Sequence, residues 1–511
     1  MSDFLNQLEE INGTLNDFIW SKFGVYLLIF VGIFMTIVTL FFQVTHFRHW
    51  MKETIGRVFG GGATAKHKAD LHSISQFQAL CTALSATIGT GNIAGVAGAI
   101  CIGGPGAVFW MWFAAFFGMM TNYSENVLGI YFRRKNAAGA WCGGAMYYLE
   151  DGLGAKPGMK YIGKVLAVLF AIFAVLASFG IGNMGQVNKI VLNVKSAFFA
   201  NVKAPEFAGV SLINWGIGFV ILILAAIIIV GGLQRIAKVA ERIVPLMSVV
   251  YLLGGIVIIC LNFGKLGAIF GAIFKYAFSL KAVAGGTFGA FIKTVVSQGF
   301  KRGVFSNEAG LGSSVMVHSA SNVKEPVRQG MWGIFEVFFD TIIVCTMTAI
   351  IVLASGKIDL ATGLVAEGTD DATLVAATFG KYFGNPGEMF VAVAMFLFAF
   401  TTVLGWSQYG SKAIEYLFGE AWVKPYCIFF TLMTVSGAVM TSSLAWDISD
   451  TFNGFMMIPN LIGVVAMAPL VYRITKNYKD RHFKGVDVEP LVSYDPQIQA
   501  ANAEAIRNGE N

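Results

Sequence analysis

Charged residues are scarce in this chain. Asp, Glu, Lys and Arg together make up 13% of its 511 residues, whereas apolar residues make up 56%. Soluble domains carry about 25% charged residues, and a soluble protein of this size could not bury so much apolar surface. The composition therefore excludes a soluble enzyme, a disordered regulator and a nucleic-acid-binding protein. It predicts that the outer surface of the molecule faces lipid.

The sequence also lacks the cysteine and histidine motifs of metal-binding and catalytic proteins. Its six cysteines occur singly and form no CxxC pair, so we interpret them as small core residues. There is no HExxH motif and no phosphate-binding loop, and four of the six histidines fall within residues 46–72. These absences argue against a membrane-embedded enzyme, and we expect no cofactor.

Long apolar runs are abundant instead. A bilayer core of about 30 Å requires about 20 apolar residues per helix. The first run follows an acidic segment and is long enough to span the bilayer, which distinguishes it from a cleavable signal peptide. We predict eleven spans, near residues 24–43, 77–102, 105–130, 162–192, 212–232, 243–262, 286–320, 330–354, 387–411, 425–443 and 453–472.

Lys and Arg are concentrated in alternate loops, which predicts the orientation of the spans because cytoplasmic loops are rich in these residues. We therefore expect an extracellular N-terminus (1–23) and a cytoplasmic tail (473–511), whose polar end is expected to be mobile. The acidic 359–371 loop falls on the extracellular side. The basic loops contain Arg48 to Lys68, Arg133 to Lys135, Arg235 to Arg242, Lys324 with Arg328, and Arg473 to Lys484.

Two spans have polar, glycine-rich interruptions. One is Gly89-Thr-Gly-Asn-Ile-Ala-Gly95, and the other is Gly299-Phe-Lys-Arg-Gly-Val-Phe-Ser-Asn-Glu-Ala-Gly310. Irregular backbone within a membrane is tolerated only where it lines a cavity, although an isolated glycine would indicate close helix packing. We interpret both spans as discontinuous helices.

The two interruptions resemble each other. Asn92-Ile-Ala-Gly-Val-Ala-Gly98 matches Asn307-Glu-Ala-Gly-Leu-Gly-Ser313, and two weaker echoes follow at a similar distance along the chain. We infer two repeats of five helices, 77–262 and 286–472, with 24–43 as an extra helix. Because five is odd, the repeats are inverted. Interrupted helices at matching places in inverted repeats are typical of the binding site of a secondary transporter.

A helix interruption can bind both an anionic substrate and a cation. The amides of Thr90, Gly91 and Asn92 suit an anionic substrate group such as a carboxylate, and the carbonyls just before them suit a cation. In the other interruption, the carbonyls of Ser297 to Gly299, followed by Phe300, are candidates to contact a cationic substrate group such as an ammonium.

Side chains from two other spans are expected to complete the site. Gln186 lies on a polar, glycine-rich stretch and can bind either substrate group, with an interhelical hydrogen bond as the alternative. Thr402 and Trp406 share one helical face. An indole in the pocket would leave room for little more than a methyl group, whereas the alternative for Trp406 is an interfacial anchor.

These motifs resemble those of the alanine or glycine:cation symporter family. The resemblance is carried by Gly89–Gly95, Gly103-Gly-Pro-Gly106, Gly143-Gly-Ala-Met-Tyr-Tyr148 and the string from Phe300 to Gly312. It implies an all-α membrane protein with a fold like that of the leucine transporter LeuT. It also implies sodium-driven uptake of alanine or glycine across a bacterial or archaeal plasma membrane, so the expected partners are a small neutral amino acid, Na⁺ and lipid.

The resemblance also implies a sodium site. Alignment with the LeuT-like pattern places Na⁺ near the carbonyls of Ser85, Ile88 and Phe398 and the hydroxyls of Thr401 and Thr402. Ligation by oxygen alone suits a hard cation.

Six charged residues within the spans remain without a settled role: Glu125, Lys301, Arg302, Glu308, Glu336 and Asp340. Glu308 is expected to cap the start of an inner half-helix, and Lys301 and Arg302 to pair with Glu308 or to form a gate. Glu336 and Asp340 are candidates to line a cytoplasmic vestibule.

A channel and a proton-coupled transporter of another small amino acid remain alternatives. The substrate among alanine, glycine and serine, its enantiomer, the ion stoichiometry and the oligomeric state stay open.

Overall fold

The computed structural model describes residues 2–60, 73–278, 292–369, 373–440 and 444–509. Parts of six predicted segments lie outside these ranges: residue 1 of the N-terminus, 61–68 of the first basic loop, 286–291 of the seventh span, 370–371 of the acidic loop, 441–443 of the tenth span and 510–511 of the tail. The described chain is mostly helical, and two short antiparallel hairpins, Arg134–Lys135 with Trp141–Cys142 and Glu206–Phe207 with Val210–Ser211, connect helices. The helices before the first hairpin are Ser2–Asp17, Phe18–Phe23, Gly24–Val38, Phe42–Thr45, Phe47–Met51, Lys52–Gly56, Arg57–Phe59, Gln76–Thr87, Gly91–Gly95, Val96–Gly103 and Ala107–Tyr131.

The remaining helices include the long core helix Asn385–Phe418 and several segments with wider π turns. Those between the hairpins and up to Asn307 are Ala145–Tyr147, Tyr148–Leu153, Lys160–Phe179, Gly180–Met184, Gly185–Phe198, Leu212–Ile229, Gly232–Leu261, Phe263–Lys265, Leu266–Ala277, Ile292–Val296 and Ser297–Asn307. Those that follow are Val315–His318, Pro326–Val337, Phe338–Cys345, Thr346–Ala354, Leu374–Phe383, Asn385–Phe418, Glu420–Trp422, Val423–Val439, Leu444–Ala466, Ala468–Lys484 and Pro496–Arg507.

Several of these helices can cross a bilayer. Within the described residues, seven are long and apolar enough to do so, or up to nine if each of two bent pairs counts as one span. Leu212–Ile229 and Gly232–Leu261 expose large apolar side chains such as Phe219 and Leu246. Exposed apolar surface of this kind faces lipid in a membrane protein. The chain is a multi-pass membrane protein, and the count of eleven spans stays a prediction.

The expected interruption near Gly89 is confirmed. Gln76–Thr87 begins with a capping box, in which Ser75 and Gln78 bond each other's backbone amides. The helix ends at Ile88, and Gly91–Gly103 continues after a bend of 54°. We call these two segments the first broken helix.

The second interruption lies further along the chain than expected. Ser297–Asn307 is a continuous helix, and residues 308–314 are non-helical before the short helix Val315–His318. Gly310 and Gly312 have φ of +93° and +72°, a left-handed conformation that favours glycine. We call 297–318 the second broken helix. The carbonyls of Ser297 to Gly299, which were expected at the end of a half-helix, lie inside this continuous helix instead.

The C-terminal segment packs against the rest of the protein rather than extending freely. The Tyr494 N–H donates to the Tyr131 carbonyl (3.2 Å), and Arg134 Nε donates to the Tyr494 hydroxyl (3.2 Å). Asp495 caps the last helix, Pro496–Arg507. The expectation of a mobile tail is therefore wrong for its described part, because these bonds attach it to the end of helix Ala107–Tyr131.

Candidate functional site

Asn92, a residue of the first broken helix, bridges the gap between its two halves. The Gly89 N–H donates to Asn92 Oδ1 (2.9 Å), and the Asn92 N–H donates to the Gly89 carbonyl (3.3 Å). Ile88 has ψ of 88°, so the helix cannot continue through it. The carbonyl end of one half and the amide end of the other therefore meet at Gly89 and Thr90.

Two further helices bring predicted side chains to this gap. A Cβ built on Gly89 would lie 2.4 Å from Thr402 Oγ1 and 3.3 Å from Gln186 Oε1. The Thr90 N–H donates to Gln186 Oε1 (3.3 Å), while Gln186 Nε2 donates to the Ile181 carbonyl (3.0 Å). Gly89 is thus a position where three helices approach so closely that any side chain would collide.

Trp406 lies one turn further along helix Asn385–Phe418. It is buried, and its ring packs edge-on against Tyr409 with centroids 5.3 Å apart. A Cβ on Gly182 would come within 2.4–2.6 Å of Trp406 Cβ, Cγ and Cδ2. The indole therefore sits directly on the backbone of the π turn Gly180–Met184, and not at a membrane interface.

The residues expected to bind sodium lie on two packed helices. Thr401 and Thr402 both donate from Oγ1 to the Phe398 carbonyl (3.0 Å each). Ser85 Oγ lies 2.8 Å from the position of a Cβ on Gly405, so Gln76–Thr87 packs tightly on Asn385–Phe418. The hydroxyls differ in their surroundings. Thr402 Oγ1 lies against Gly89, whereas Thr401 Oγ1 also contacts Met247 Sδ (3.6 Å).

Gly299 and Phe300 contact helix Ala107–Tyr131. A Cβ on Gly299 would meet Trp110 Cβ at 2.5 Å and the Ala107 carbonyl at 2.6 Å. The Phe300 ring packs against Trp110 and Phe113. Both residues therefore pack against helix Ala107–Tyr131, and nothing in these contacts supports their expected role in lining the site. Gly299 permits the close helix approach that small residues allow in membranes.

The residues of the second broken helix that do reach the gap are Phe305 and Ser306. A Cβ on Gly91 would lie 2.9 Å from the Phe305 ring and 3.4 Å from Ser306 Cα. Asp340 joins the two breaks, since it accepts from Asn92 Nδ2 (2.6 Å) through Oδ1 and from Ser306 Oγ (2.8 Å) through Oδ2. Sequence reasoning missed these contacts, although Ser306 lies inside the quoted motif and Asp340 stood out as a charge within a span.

Other charges in the spans also differ from expectation. Lys301 pairs with Asp450 (2.7 Å), not with Glu308, and it donates to Asn16 Oδ1 (3.1 Å) on the N-terminal helix. Glu308 is the C-cap of helix Ser297–Asn307, with φ of +56°, and does not begin a half-helix. Glu336 and Asp340 are fully buried and line no vestibule in this form.

The segment that follows the second broken helix is bonded to the segment that precedes the first one. Ile74, just before the first broken helix, forms a parallel β-bridge with Ser321. The buried Arg133 guanidinium donates to the carbonyls of Ser319 (3.3 Å), Ser321 (2.6 Å) and Val323. The start of the first broken helix and the end of the second are thus joined.

The helices are arranged in a LeuT-like fold. A solved structure of MhsT in complex with L-phenylalanine superposes on 80% of this chain and 99% of its own, with a TM-score of 0.52. Sequence identity in that pair is 14%, so the likeness shows the fold alone.

Sequence comparison identifies the family. The model of the sodium:alanine symporter family matches residues 5–491, and the chain belongs to this family. Sodium/alanine symporter AgcS of Methanococcus maripaludis is 42% identical over 91% of this chain and 96% of its own. The probable sodium/glutamine symporter GlnT of Bacillus subtilis is 35% identical over 94% and 92%, respectively. The putative sodium/proton-dependent alanine carrier YrbD of the same organism is 36% identical over 95% and 94%. The protein is a cation-coupled amino-acid transporter and not an enzyme.

Proposed function

We propose that this protein carries alanine, glycine or both into the cell together with Na⁺, by alternating access across the plasma membrane. The observation that carries this proposal is the convergence of Gln186 and Thr402 on the gap at Gly89, with Trp406 one turn away. The C-terminal carbonyls of one half of the first broken helix, the N-terminal amides of its other half and the indole that limits substrate size lie close together there.

The substrate carboxylate binds at the amide end of the gap. The N–H of Thr90 bonds Gln186 Oε1 at 3.3 Å, a long contact that a charged carboxylate oxygen can replace with a stronger one. The Gln186 amide remains beside the carboxylate, held by its bond to Ile181. Gly91 and Asn92 extend the same positive helix end.

The substrate ammonium lies toward the second broken helix. Helix Ser297–Asn307 ends next to Gly91, and its C-terminal end carries a partial negative charge. The backbone near Ser306 replaces Ser297 to Gly299 as the proposed contact for the ammonium group. Asp340 accepts hydrogen bonds from Asn92 and Ser306 and so links the two broken helices.

The substrate side chain is limited by Trp406. The indole contacts Gly182 so closely that it has no room to move toward the π turn Gly180–Met184. This supports a substrate with a methyl group or a hydrogen as its side chain. Larger side chains require the indole to shift.

Sodium binds at the carbonyl end of the same gap. Ser85 and Ile88 belong to the final turn before the gap, and Thr402 Oγ1 lies directly against Gly89. With Phe398 and Thr401 they offer oxygen ligands only, which fits a hard cation. Because ion and substrate share one gap, binding of each favours the other, and the coupling is reciprocal.

Alternating access requires the two sides of the site to open in turn. The Lys301–Asp450 pair, with Asn16, closes the side that the charge bias places outside. The Ile74–Ser321 bridge and Arg133 close the cytoplasmic side. We place the N-terminus outside and the C-terminus in the cytoplasm.

Uptake of radiolabelled amino acids into proteoliposomes tests the proposal. We expect a sodium gradient alone to drive alanine or glycine accumulation, and alaninol, which lacks the carboxylate, to compete poorly. Uptake that follows a proton gradient and ignores sodium would support the proton-coupled alternative. Flux that never exceeds equilibrium would indicate a channel.

A further inference from the structure

After helix Ala468–Lys484, the chain turns back across the side of the molecule that we place in the cytoplasm. Asn477 bonds the returning segment twice. Its Nδ2 donates to the Glu489 carbonyl (2.8 Å), and its Oδ1 accepts from the Leu491 N–H (3.1 Å). We call residues 489–499 the strap. The two bonds fix the direction in which the strap leaves this helix.

The strap is also braced within itself. Gln499 lies in the first turn of helix Pro496–Arg507, and its Oε1 accepts from the N–H groups of Val492 (2.8 Å) and Ser493 (3.0 Å). Val492 and Ser493 are buried. A segment with bonded amides and buried side chains resists local opening, unlike a frayed terminus.

The strap contacts the end of helix Ala107–Tyr131 through Tyr494. The Tyr494 N–H donates to the Tyr131 carbonyl (3.2 Å), and its ring packs against that of Phe132 with centroids 5.3 Å apart. Its hydroxyl accepts from Arg134 Nε (3.2 Å). The strap therefore bonds or packs on three of the four consecutive residues 131–134.

The remaining residue, Arg133, bonds the segment that follows the second broken helix. Its buried guanidinium donates to the carbonyls of Ser319 (3.3 Å) and Ser321 (2.6 Å). Ser321 forms the β-bridge with Ile74, in which the Ile74 N–H donates to the Ala320 carbonyl (3.2 Å). Arg133 thus supports the contact that closes the cytoplasmic side, while its two neighbours in sequence hold the strap.

The strap and the bridge are mechanically connected because residues 131–134 are consecutive. Neighbouring Cα atoms stay about 3.8 Å apart across a trans peptide bond. The Arg133 side chain is buried and lies under the Trp141 ring, with Cζ 3.9 Å from the ring centroid, so it cannot rotate away while its backbone stays in place. Withdrawal of Arg133 from residues 319–321 therefore displaces Phe132 and Arg134, and with them the contacts of Tyr494.

This connection works in both directions. A contact that forms only in one of two conformations shifts the equilibrium toward that conformation. If opening at the bridge weakens the contacts of Tyr494, loss of those contacts must favour opening at the bridge to the same extent.

We propose that the strap stabilises the form closed to the cytoplasm and that it loosens at Tyr494 each time this side opens. Tyr494 and Arg134 are positioning residues, which act on the bridge through Arg133. The effect on transport rests on the proposed function, whereas the coupling between strap and bridge does not.

Hydrogen–deuterium exchange of the purified full-length protein measures this coupling without transport. The bridge contains the Ile74 N–H and the Asn322 N–H, which donates to the Ile74 carbonyl (2.9 Å), and their exchange reports its opening. Tyr494→Ala should speed their exchange about 2-fold to 10-fold, as expected for loss of an ordinary hydrogen bond. Tyr494→Phe keeps the ring and should have a smaller effect.

The matched control is Tyr382→Ala. Tyr382 is also a half-buried tyrosine, and its hydroxyl donates to Asn262 Oδ1 (2.8 Å) on the side that we place outside. This variant should leave exchange at Ile74 and Asn322 unchanged. Unchanged exchange at these two groups in Tyr494→Ala would overturn the proposal. Equal acceleration in Tyr382→Ala would also overturn it, because the effect would then be a general loss of stability.

A second variant covers the case in which Tyr494→Ala does not fold. Gln499→Ala removes the internal brace but keeps the Tyr494 side chain, so the amides of Val492 and Ser493 should exchange faster. Exchange at Ile74 and Asn322 should rise with them. A strap that exchanges faster while the bridge does not respond would overturn the coupling.

Exchange of labelled alanine across proteoliposomes tests the consequence for transport. With saturating sodium and alanine on both sides, exchange requires only repeated opening and closing of the loaded protein. Tyr494→Ala should raise its rate, whereas Tyr382→Ala should not. A parent-like rate in Tyr494→Ala, despite faster deuterium exchange at the bridge, would overturn the part of the strap in opening. Absence of alanine exchange in the parent protein would instead refute the proposed function and leave the deuterium-exchange result standing.

Discussion

Removal of the Thr402 hydroxyl should weaken sodium binding specifically. Thr402→Val nearly preserves the shape of the side chain while deleting Oγ1, which donates to the Phe398 carbonyl (3.0 Å) and lies against Gly89. A hydrogen bond or ligand contact to a charged group contributes about 1.5–3 kcal/mol. Since about 1.4 kcal/mol corresponds to a factor of ten, the sodium concentration for half-maximal uptake should rise about 10-fold to 150-fold.

A buried threonine elsewhere separates this effect from a general loss of stability. Thr431 Oγ1 donates to the Cys427 carbonyl (2.7 Å) in helix Val423–Val439 and does not contact the gap. Thr431→Val therefore removes the same kind of intrahelical bond, whose net contribution is about 0.5–1.5 kcal/mol. It should lower thermal stability slightly and leave the sodium dependence unchanged.

The assay is alanine uptake measured over a range of sodium concentrations in proteoliposomes. In Thr402→Val, alanine affinity should be reduced at low sodium and should recover as sodium rises, because the coupling between the two ligands is reciprocal. Thr401→Val should have a smaller effect, since its hydroxyl also lies beside Met247 Sδ. Equal sodium dependence in Thr402→Val and Thr431→Val would refute the assignment of Thr402 as a ligand.

Three further outcomes are expected. Trp406→Ala should admit larger substrates, with competition by leucine or methionine rising by about 10-fold to 200-fold at most, and an unchanged competition profile would remove the indole from the pocket. Gly299→Ala should lower the free energy of unfolding by about 1–3 kcal/mol, because the added methyl group clashes with Trp110. The half-saturating concentrations of alanine and sodium should not change. A change in either would show that Gly299 contributes to the site. Burial would raise the pKa of Glu325, but the hydrogen bond from His482 and the charges of Arg481 and Arg328 lower it to about 2. Its contribution to stability is therefore present above its ordinary pKa of 4.5 and is lost as the pH falls toward 2. Glu325→Gln should reduce thermal stability at pH 7, by about 3–5 kcal/mol for a broken buried pair, and the difference from the parent should shrink below pH 4; a constant difference at all pH values would contradict this.

The sequence by itself determined the class of protein and one of its two breaks. Charge content depends only on composition and apolar run length only on the order of the residues, and together they require a lipid-facing surface whatever the tertiary contacts. The break at Gly89 follows from local chain chemistry as well, because Gly-Thr-Gly-Asn supplies both flexible backbone and a side chain, Asn92, that bonds the freed amide of Gly89. Gln186, Thr402 and Trp406 stood out because polar or bulky groups within apolar helices need a partner or a function.

Only the tertiary structure decided the position of the second break and the partners of the buried charges. A glycine within an apolar helix is compatible with either an interruption or close packing, and the choice depends on the facing helix. At Gly299 that helix presents Trp110, so the chain stays helical, and the break falls at Glu308, where Gly310 and Gly312 adopt left-handed conformations. Lys301 likewise pairs with Asp450 instead of the nearby Glu308. Contacts between residues far apart in sequence arise from helix packing, and no local pattern along the chain specifies them.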